Sequence, residues 1–357
     1  MIEINDVLYF PILKTTDAEL KAFGHLDDAV KDKIIPIFEL TRSRKSKKNM
    51  GRSINKRLES LESIVGKNPF VLDLTTEKLL SNEQIEDILN DFSGGFPLWI
   101  KLVKEQKEKG LNIIPVIHYD EENLDDVKKE IEELFKFSDI LAFRVPVNDA
   151  IAYLEKIVLM GVPLEKIIVI LDASYQEPMG SGDKSDLFAE TIEQLVRDFA
   201  NNMPWCVACA FSSFPDSVTK YGEDDKGGWP RYEKHTYQAL KLKYNDVPGL
   251  NLKHADYSSV HPYRYDTTGG QWIPRIDFIN NDSMRYYRLR REDGGYALVA
   301  QKVLADQNYL AIAGLNVWGD NEIAAAGNGT PNGGAPSHWI SVRINLYITR
   351  TLMELIS

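Results

Sequence analysis

Residues 166–174 have the sequence KIIVILDAS, and this stretch decides the fold class. Its apolar residues are mostly β-branched and continuous, and the run ends at the acidic residue Asp172. A strand that is exposed on one face alternates polar and apolar residues, whereas a continuous apolar run predicts a strand covered on both faces, as in a parallel sheet. The segment therefore favours an α/β protein.

Similar runs recur along the chain, and amphipathic segments of helical period separate them. The predicted strands are 9–14, 33–42, 69–75, 111–120, 139–147, 166–174, 205–213 and 251–259. The predicted helices are 16–30, 53–65, 81–92, 97–109, 122–136, 148–160, 186–202 and 230–244. Eight strand–helix repeats within about 260 residues predict a (β/α)8 barrel of the TIM type. A doubly wound open sheet is the alternative, because periodicity alone does not separate the two.

The pattern changes after residue 264. The segments that follow predict a hairpin, a helix, a loop rich in glycine and asparagine, and a last amphipathic helix. Their ranges are 274–280 with 284–293, then 295–306, 314–337 and 338–356. We expect residues 1–264 to form the barrel and residues 265–357 to form a hairpin-plus-helix extension that packs on it and is not an independent domain.

Composition narrows the class of protein. The net charge is −11, which disfavours a nonspecific coat for nucleic acid. No stretch approaches the roughly twenty apolar residues of a membrane span, and the first residues lack the basic start of a secretory signal. The cysteines, Cys206 and Cys209, lie in the apolar run PWCVACAFSSF without a second ligand pair, so we expect a structural role rather than zinc or redox chemistry. We expect a reducing, cytoplasmic setting.

Polar residues close the predicted strands, and in (β/α)8 barrels the carboxyl ends of the strands form the functional face. The predicted catalytic candidates are Asp73, Asp172, Glu39 and His118, which suit general acid–base chemistry. The predicted ligand-binding residues are Lys14, Arg42, Arg144, Asp256 and His261. This ring of mixed charge predicts a pocket for an anionic or sugar-like ligand. The alternative is that these charges only pair with one another at the rim.

Motifs for named chemistry are absent from the sequence. His118 and His261 do not occur in HxH, HxxxH or HExxH spacing, so we expect no metal site and no di-metal hydrolase. There is no Walker A segment, no GxGxxG after a strand and no GxSxG elbow. The cofactor, if one is used, is therefore left open.

A basic segment interrupts the acidic chain. Residues 42–57, RSRKSKKNMGRSINKR, carry eight basic residues and no acidic one. Within this segment we define the basic loop as Arg44, Lys45, Lys47, Lys48 and Arg52. The loop could attract a nucleotide or a nucleic acid, or it could be a solvated connection. A second cluster, RYYRLRR (285–291), combines arginine with tyrosine, but strand alternation predicts that its side chains divide between two faces.

Several segments carry a resemblance to a known family. YFPILKTTDAELKAF with KIIPIFEL, then HADYSSVHP, RIDFIN with RYYRLRRE, and HWISVRINLYIT together resemble the phage beta-protein family over nearly the whole chain. The resemblance implies a barrel and a role in phage–host conflict, and it supplies no established catalytic residues. It places Lys14, Glu39, Asp73, Arg144, Asp172, Asp256 and His261 at shared positions. The basic loop and the glycine-rich residues 327–334 are particular to this sequence.

Three functions remain open from the sequence. The first is a barrel for antiphage defence or prophage use that binds a nucleotide, a phosphorylated ligand, nucleic acid, or a phage or defence-system protein, with no membrane partner. The second is a phosphodiesterase or other hydrolase that uses the strand-end carboxylates. The third is a non-catalytic interaction module.

Overall fold

Eight parallel strands form a nearly closed, barrel-like sheet surrounded by helices. The computed structural model describes residues 6–47, 49–178, 184–265, 272–309 and 317–357. The strands are β1 (Tyr9–Lys14), β2 (Ile37–Leu40), β3 (Phe70–Leu74), β4 (Ile113–Pro115), β5 (Leu141–Pro146), β6 (Ile167–Tyr175), β7 (Cys206–Ser212) and β9 (Leu252–Asp256). Their order is β4-β3-β2-β1-β9-β7-β6-β5, and a parallel bridge between Val116 and Ala142 links the two ends of the sheet. The eight predicted strands are confirmed; the bounds of β1 are as predicted, β6 is shifted by one residue, and the other six strands are shorter.

Helices follow the strands and cover the outside of the sheet. They are α1 (Asp17–Gly24), α2 (Asp28–Lys31), α3 (Asn55–Val65), α4 (Glu83–Asn90), α5 (Pro97–Glu108), α6 (Leu124–Leu134), α7 (Ala150–Leu159), α8 (Lys184–Asp198) and α9 (Tyr232–Tyr244). The predicted single helix 16–30 is wrong, because the chain there forms two helices. The Asp27 side chain accepts a hydrogen bond from the Ala29 amide at 2.9 Å, and this cap starts a new helix.

The alternation of each strand divides the core into two layers. Residues such as Ile12, Ile37, Val71 and Ile170 point into the barrel-like sheet and form an inner cluster. Their sequence neighbours point outward and pack against the helices in a larger cluster. Each fully buried aliphatic side chain of this kind stabilises the fold by about 1.5–3 kcal/mol. Because every strand is covered on both faces, its sequence is a continuous apolar run.

The two cysteines belong to this core. Cys206 points inward and Cys209 outward, and both are buried and free. Burial raises the pKa of both thiols, that of Cys206 to about 12. A thiol with such a pKa is a poor nucleophile at neutral pH, which fits packing better than redox chemistry. No described helix is long and apolar enough to cross a bilayer.

The predicted hairpin is confirmed, and a third strand joins it. The hairpin strands β10 (Arg275–Ile279) and β11 (Ser283–Arg288) are antiparallel, and β8 (Lys226–Pro230) pairs with β11. The sequence analysis missed β8, because its glycines have low strand propensity. A Cβ atom at Gly228 would lie 2.6 Å from the Met284 carbonyl oxygen, so this close pairing requires glycine.

Three helices complete the C-terminal part, namely α10 (Gly295–Ala305), α11 (Trp318–Gly327) and α12 (Pro336–Ile356). The helices α10 and α12 were predicted, but α11 lies inside the segment expected to be a loop. Ile323 and Ala326 of α11 are buried against α10 and α12, so tertiary packing outweighs the local glycine and asparagine content. Helix α12 packs on α1, where the Asn345 side chain donates a hydrogen bond to the Ala22 carbonyl oxygen at 3.2 Å.

Candidate functional site

An inward-pointing polar residue lies at or just beyond the carboxyl end of several strands. Lys14, Glu39 and Asp73 occupy matching positions in the register of β1, β2 and β3, so their side chains lie next to one another. Arg144 and Asp172 take the corresponding places on β5 and β6 and meet them across the sheet interior. The structure thus brings five of the predicted site residues together.

Arg144 is the centre of this group. Its Nη1 donates to Glu39 at 2.7 Å and to Asp73 at 2.8 Å, and its Nε donates to Asp172 at 2.9 Å. Its Nη2 donates to the Tyr257 hydroxyl at 2.8 Å and lies 2.8 Å from Asp172. Each guanidinium nitrogen therefore has at least one partner, in four hydrogen bonds and one further ion contact. Arg144 is therefore held by groups of the protein itself.

The five polar residues brought together here, which we call the ring, are Lys14, Glu39, Asp73, Arg144 and Asp172. Tyr257, and not Asp256, joins them. The Tyr257 hydroxyl donates to Asp172 at 2.7 Å, and its ring belongs to the inner cluster. Asp256, the preceding residue, points to the outer side, where Tyr9, His254 and Tyr347 of α12 contact its carboxylate at 2.5, 2.9 and 3.1 Å. The expectation that Asp256 lines the mouth is not met, because neighbouring residues of a strand face opposite sides.

The pKa values of Glu39 and Asp73 depend on burial, which favours the neutral carboxyl group, and on nearby cations, which favour the charged one. Burial favours the neutral form of Glu39, but Lys14, whose Nζ lies 3.2 Å away, and Arg144 outweigh it and hold the pKa at about 2. Burial also dominates at Asp73, and here the single cation Arg144 does not fully compensate, so the pKa of Asp73 is raised. Two carboxyl groups of one ring thus have pKa values shifted in opposite directions.

A cavity of about 530 Å³ opens above this ring. Tyr119 and Tyr153, stacked with their ring centroids 4.1 Å apart, form part of the wall. Its charged lining is Glu39, Asp73, Glu77, Asp172 and Arg144. Even with Lys14 added, carboxylates outnumber these cations, and the cavity is acidic in spite of the arginine at its base. Among the described residues, no three His, Cys, Asp or Glu side chains are grouped to hold a metal ion.

His118 also lines the cavity, and a buried carboxylate orients it. Its Nδ1 lies 2.8 Å from Glu130, a fully buried residue of α6 that also accepts the His118 amide at 3.1 Å. Phe96 stacks on the imidazole at 5.0 Å, and Trp99 meets it edge-on. The imidazole Nε2 is buried and has no hydrogen-bond partner among the described residues. With Nδ1 bonded to Glu130, Nε2 is the ring nitrogen that is left for a further hydrogen bond.

Burial raises the pKa of Glu130, although His118 opposes this shift. The sequence analysis missed this residue, but a signal for it exists. Glu130 occupies the same helical face as the buried Val127, Ile131 and Leu134. A carboxylate on an apolar helix face needs a buried partner, and the histidine that closes the preceding strand provides it.

Comparison with known proteins gives the family of the chain. The family model described as Beta protein matches residues 9–353, a range that includes all eight strands of the barrel-like sheet. The chain belongs to the beta protein family. It is similar to Protein beta of Enterobacteria phage P4, with 28% identity over 355 residues, which cover 96% of this chain and 92% of the phage protein. The resemblance noted in the sequence is confirmed, and the family is associated with phage.

In this member of the beta protein family, two further predicted ligand-binding residues, Arg42 and His261, also lie outside the ring. Arg42 donates from its Nη1 to the Ser81 carbonyl oxygen at 3.2 Å and does not line the cavity. His261 lies in the loop after β9, where its ring packs 4.3 Å from Tyr175 and its Nδ1 contacts Tyr263 at 3.1 Å. Burial lowers the pKa of His261, so this imidazole is neutral at physiological pH.

The basic loop lies on the surface between β2 and α3. Arg44, Lys45 and Lys47 are exposed, Arg44 forms an ion pair of 3.9 Å with Asp17, and Lys48 lies outside the described residues. Arg52 is half-buried with a positive φ of 55°, and its carbonyl oxygen accepts the Ser43 amide. None of these residues lines the cavity.

The glycine-rich residues 327–334 connect α11 and α12. The Gly333 carbonyl oxygen accepts the Trp339 indole N–H at 2.9 Å, and Asn332 donates to Glu322 at 3.2 Å. The described contacts tie the segment to these two helices and not to the strand ends.

Proposed function

We propose that this member of the beta protein family acts in phage–host conflict, as an antiphage-defence or prophage accessory protein, and that its cavity binds a small polar ligand without net negative charge. The family and the similarity to the phage P4 protein support the setting. We also propose that the sheet is a closed (β/α)8 barrel whose carboxyl end is its functional face. Residues 265–357 are then an extension that depends on the barrel.

His118 is the observation that carries the ligand-binding part of this proposal. Lys14 and Arg144 make internal pairs, which suits the interpretation that the ring is only structural. That interpretation leaves His118 unexplained, because Nε2 is buried without a partner beside a cavity. A buried polar atom without a hydrogen bond costs about 1–3 kcal/mol, and a ligand or an ordered water at the cavity wall would remove this cost.

The charge of the cavity specifies the chemistry of the ligand. An anion needs a cation that is free to face it, but every guanidinium nitrogen of Arg144 already has a protein partner. Lys14 pairs with Glu39, donates to the Pro262 carbonyl oxygen at 2.6 Å and is not among the residues that line the cavity. Carboxylates favour hydroxyl and ammonium groups instead, and the stacked Tyr119 and Tyr153 offer apolar faces. The ligand class is therefore a polyhydroxyl compound, an amine or a nucleoside, not a phosphate.

A hydrolase is the second candidate, and the opposite shifts of the two carboxyl pKa values favour it. Asp73, with a raised pKa, would supply a proton, and His118 Nε2, oriented by Glu130, would accept one from water. The same charge balance argues against a phosphodiesterase, since the guanidinium nitrogens of Arg144 already contact three carboxylates and Tyr257 instead of the charge that develops on phosphate.

A thermal-shift screen tests the proposal. The wild-type protein and His118→Gln would be screened against sugars, polyamines, nucleosides and the matching phosphates, with Arg197→Gln as a control, since Arg197 is exposed on α8. We expect stabilisation by a neutral or cationic compound that His118→Gln weakens and Arg197→Gln retains. Product formation from that compound would select the hydrolase. Stabilisation by phosphates alone, or by nothing in the screen, would refute the proposed ligand class.

A further inference from the structure

We propose a second ligand site, formed by the three-stranded sheet, α10 and α12, that binds a nucleoside monophosphate group: one phosphate and one base, free or at the end of a nucleic acid strand. A cavity of about 380 Å³ lies there, lined by Trp272, Ile273, Arg275, Asp277, Arg288, Tyr296, Pro336 and Ile340. Ligand pockets range from about 300 to 1,000 Å³, so this cavity has the size for one small ligand and not for a duplex.

The charge of this second cavity is opposite to that of the barrel cavity. Arg275 and Arg288 are directly opposed on β10 and β11, so their side chains share one face of the sheet. Asp277, the acidic residue of the lining, already contacts Arg343 Nη1 and Arg275 Nε at 2.8 and 2.9 Å. Two guanidinium groups thus compensate one carboxylate, and Arg288 adds a further positive charge.

Arg288 is the residue best placed to receive an anion. Its Nε is buried and has no hydrogen-bond partner among the described residues. This contrasts with Arg144 of the barrel cavity, each of whose guanidinium nitrogens has a hydrogen-bond partner. A planar guanidinium with free donors matches the geometry of phosphate oxygens and can bind them in pairs.

The first turn of a helix adds to this preference. Tyr296 lines the cavity and is the second residue of the eleven-residue helix α10. The N-cap residue of this helix, Gly294, has no side chain that could cap it. The free amides and the positive end of the helix dipole favour a negative charge nearby. The helix dipole and the arginines therefore both favour an anion in this cavity.

Aromatic side chains supply the surface for a base. Trp272 is 46% exposed, and the guanidinium of Arg291 lies 4.4 Å from its ring centroid. Tyr296 is held by stacking on Trp339 at 4.8 Å. An exposed indole ring beside cations binds nucleobases by stacking, whatever the base, while the arginines bind the phosphate, and the buried Tyr296 forms part of the wall. The second arginine–tyrosine cluster of the sequence is divided as predicted, with Tyr286 and Tyr287 in different apolar clusters, and Arg288 is its member that lines this cavity.

Titration calorimetry with AMP, inorganic phosphate and adenosine tests the site. We expect AMP to bind more tightly than either of its parts, because each part makes only some of the contacts. Arg288→Gln should weaken AMP binding about tenfold or more, which is the effect of losing a charged hydrogen bond. Trp272→Ala should weaken AMP more than phosphate. The matched control is Arg290→Gln in the same segment, whose side chain is 69% exposed, and it should change binding less than twofold.

Further binding measurements distinguish the possible ligands and the two proposed sites. Tighter binding of a short 5′-phosphorylated oligonucleotide than of its 5′-hydroxyl form identifies a strand end as the ligand, and equal or no binding of the two, with AMP bound, identifies a free nucleotide. His118→Gln should leave AMP binding unchanged, so failure of the barrel-cavity proposal does not affect this one. The site is refuted if wild-type protein binds neither AMP nor the phosphorylated oligonucleotide, or if Arg290→Gln weakens binding as much as Arg288→Gln at equal melting temperature.

Discussion

Replacement of Arg144 by methionine should destabilise the protein strongly at neutral pH. Methionine keeps most of the volume but removes the donors that Glu39, Asp73 and Asp172 share. The pKa of Glu39, about 2 against an ordinary 4.5, corresponds to about 3 kcal/mol of stabilisation, part of which comes from Lys14. Loss of one partner from a buried ion pair costs about 3–5 kcal/mol. We therefore expect a loss of about 4 kcal/mol at pH 7.

The loss should shrink as the pH falls. In the wild type, the depressed pKa of Glu39 contributes stability that is present above pH 4.5 and is lost as the pH falls towards 2. In the Arg144→Met variant, burial without this cation leaves the pKa of Glu39 and Asp73 higher than in the wild type, so both become neutral at a higher pH. The difference between the two proteins is then largest near pH 7 and smaller near pH 4.

Urea unfolding at several pH values measures this difference. Arg197→Gln is the control, and it should cost less than about 1 kcal/mol, because its pair with Asp198 is exposed. Neutralising the three carboxylates in the Arg144→Met background should recover most of the loss. An Arg144→Met protein as stable as the wild type at pH 7, or a loss that does not depend on pH, would refute the view that this arginine balances buried charge.

Three other outcomes follow from packing. Cys206 and Cys209 should resist iodoacetamide in the native protein and react fully in urea, as mass spectrometry would show; rapid native labelling would contradict their burial. Gly319→Ala should lower the unfolding free energy by about 1–2 kcal/mol, because its Cβ would lie 2.6 Å from Leu346 Cγ; a more stable variant would mean that α11 and α12 adjust freely. Neutralising the exposed cations of the basic loop should change stability by less than about 0.5 kcal/mol in urea titrations, and a larger loss would show that the loop is a structural element.

The sequence predicted the strands well because their signal is local. Each strand of the barrel-like sheet is a short apolar run, and a polar residue near its carboxyl end marks the mouth, as for Lys14, Glu39 and Asp172. Where a strand depends on a partner, the local signal fails. The glycine-rich strand β8 forms because β11 accepts it at close range, and α11 forms because α10 and α12 cover its apolar face.

The residues of the site could be predicted from the sequence, but the contacts between them could not. Alternation along β9 does not reveal which of Asp256 and Tyr257 faces inward, because polar residues occupy both sides of that strand. The outward position of Asp256 depends on Tyr9 and Tyr347, which are 247 and 91 residues away in the chain. Likewise, Arg144 was expected to bind an anion, and only the structure shows that three carboxylates and a tyrosine already occupy it.

The strand β8 ties the two parts of the chain together. It lies before the last strand of the barrel-like sheet in sequence, yet it pairs with β11, which follows that sheet. A cut after residue 264 would strip β8 of its partner and leave Trp229 without the Met284 and Tyr286 that share its buried cluster. During translation, the three-stranded sheet cannot form until β11 has been synthesised. Recombination at that boundary would therefore separate strands of a single sheet.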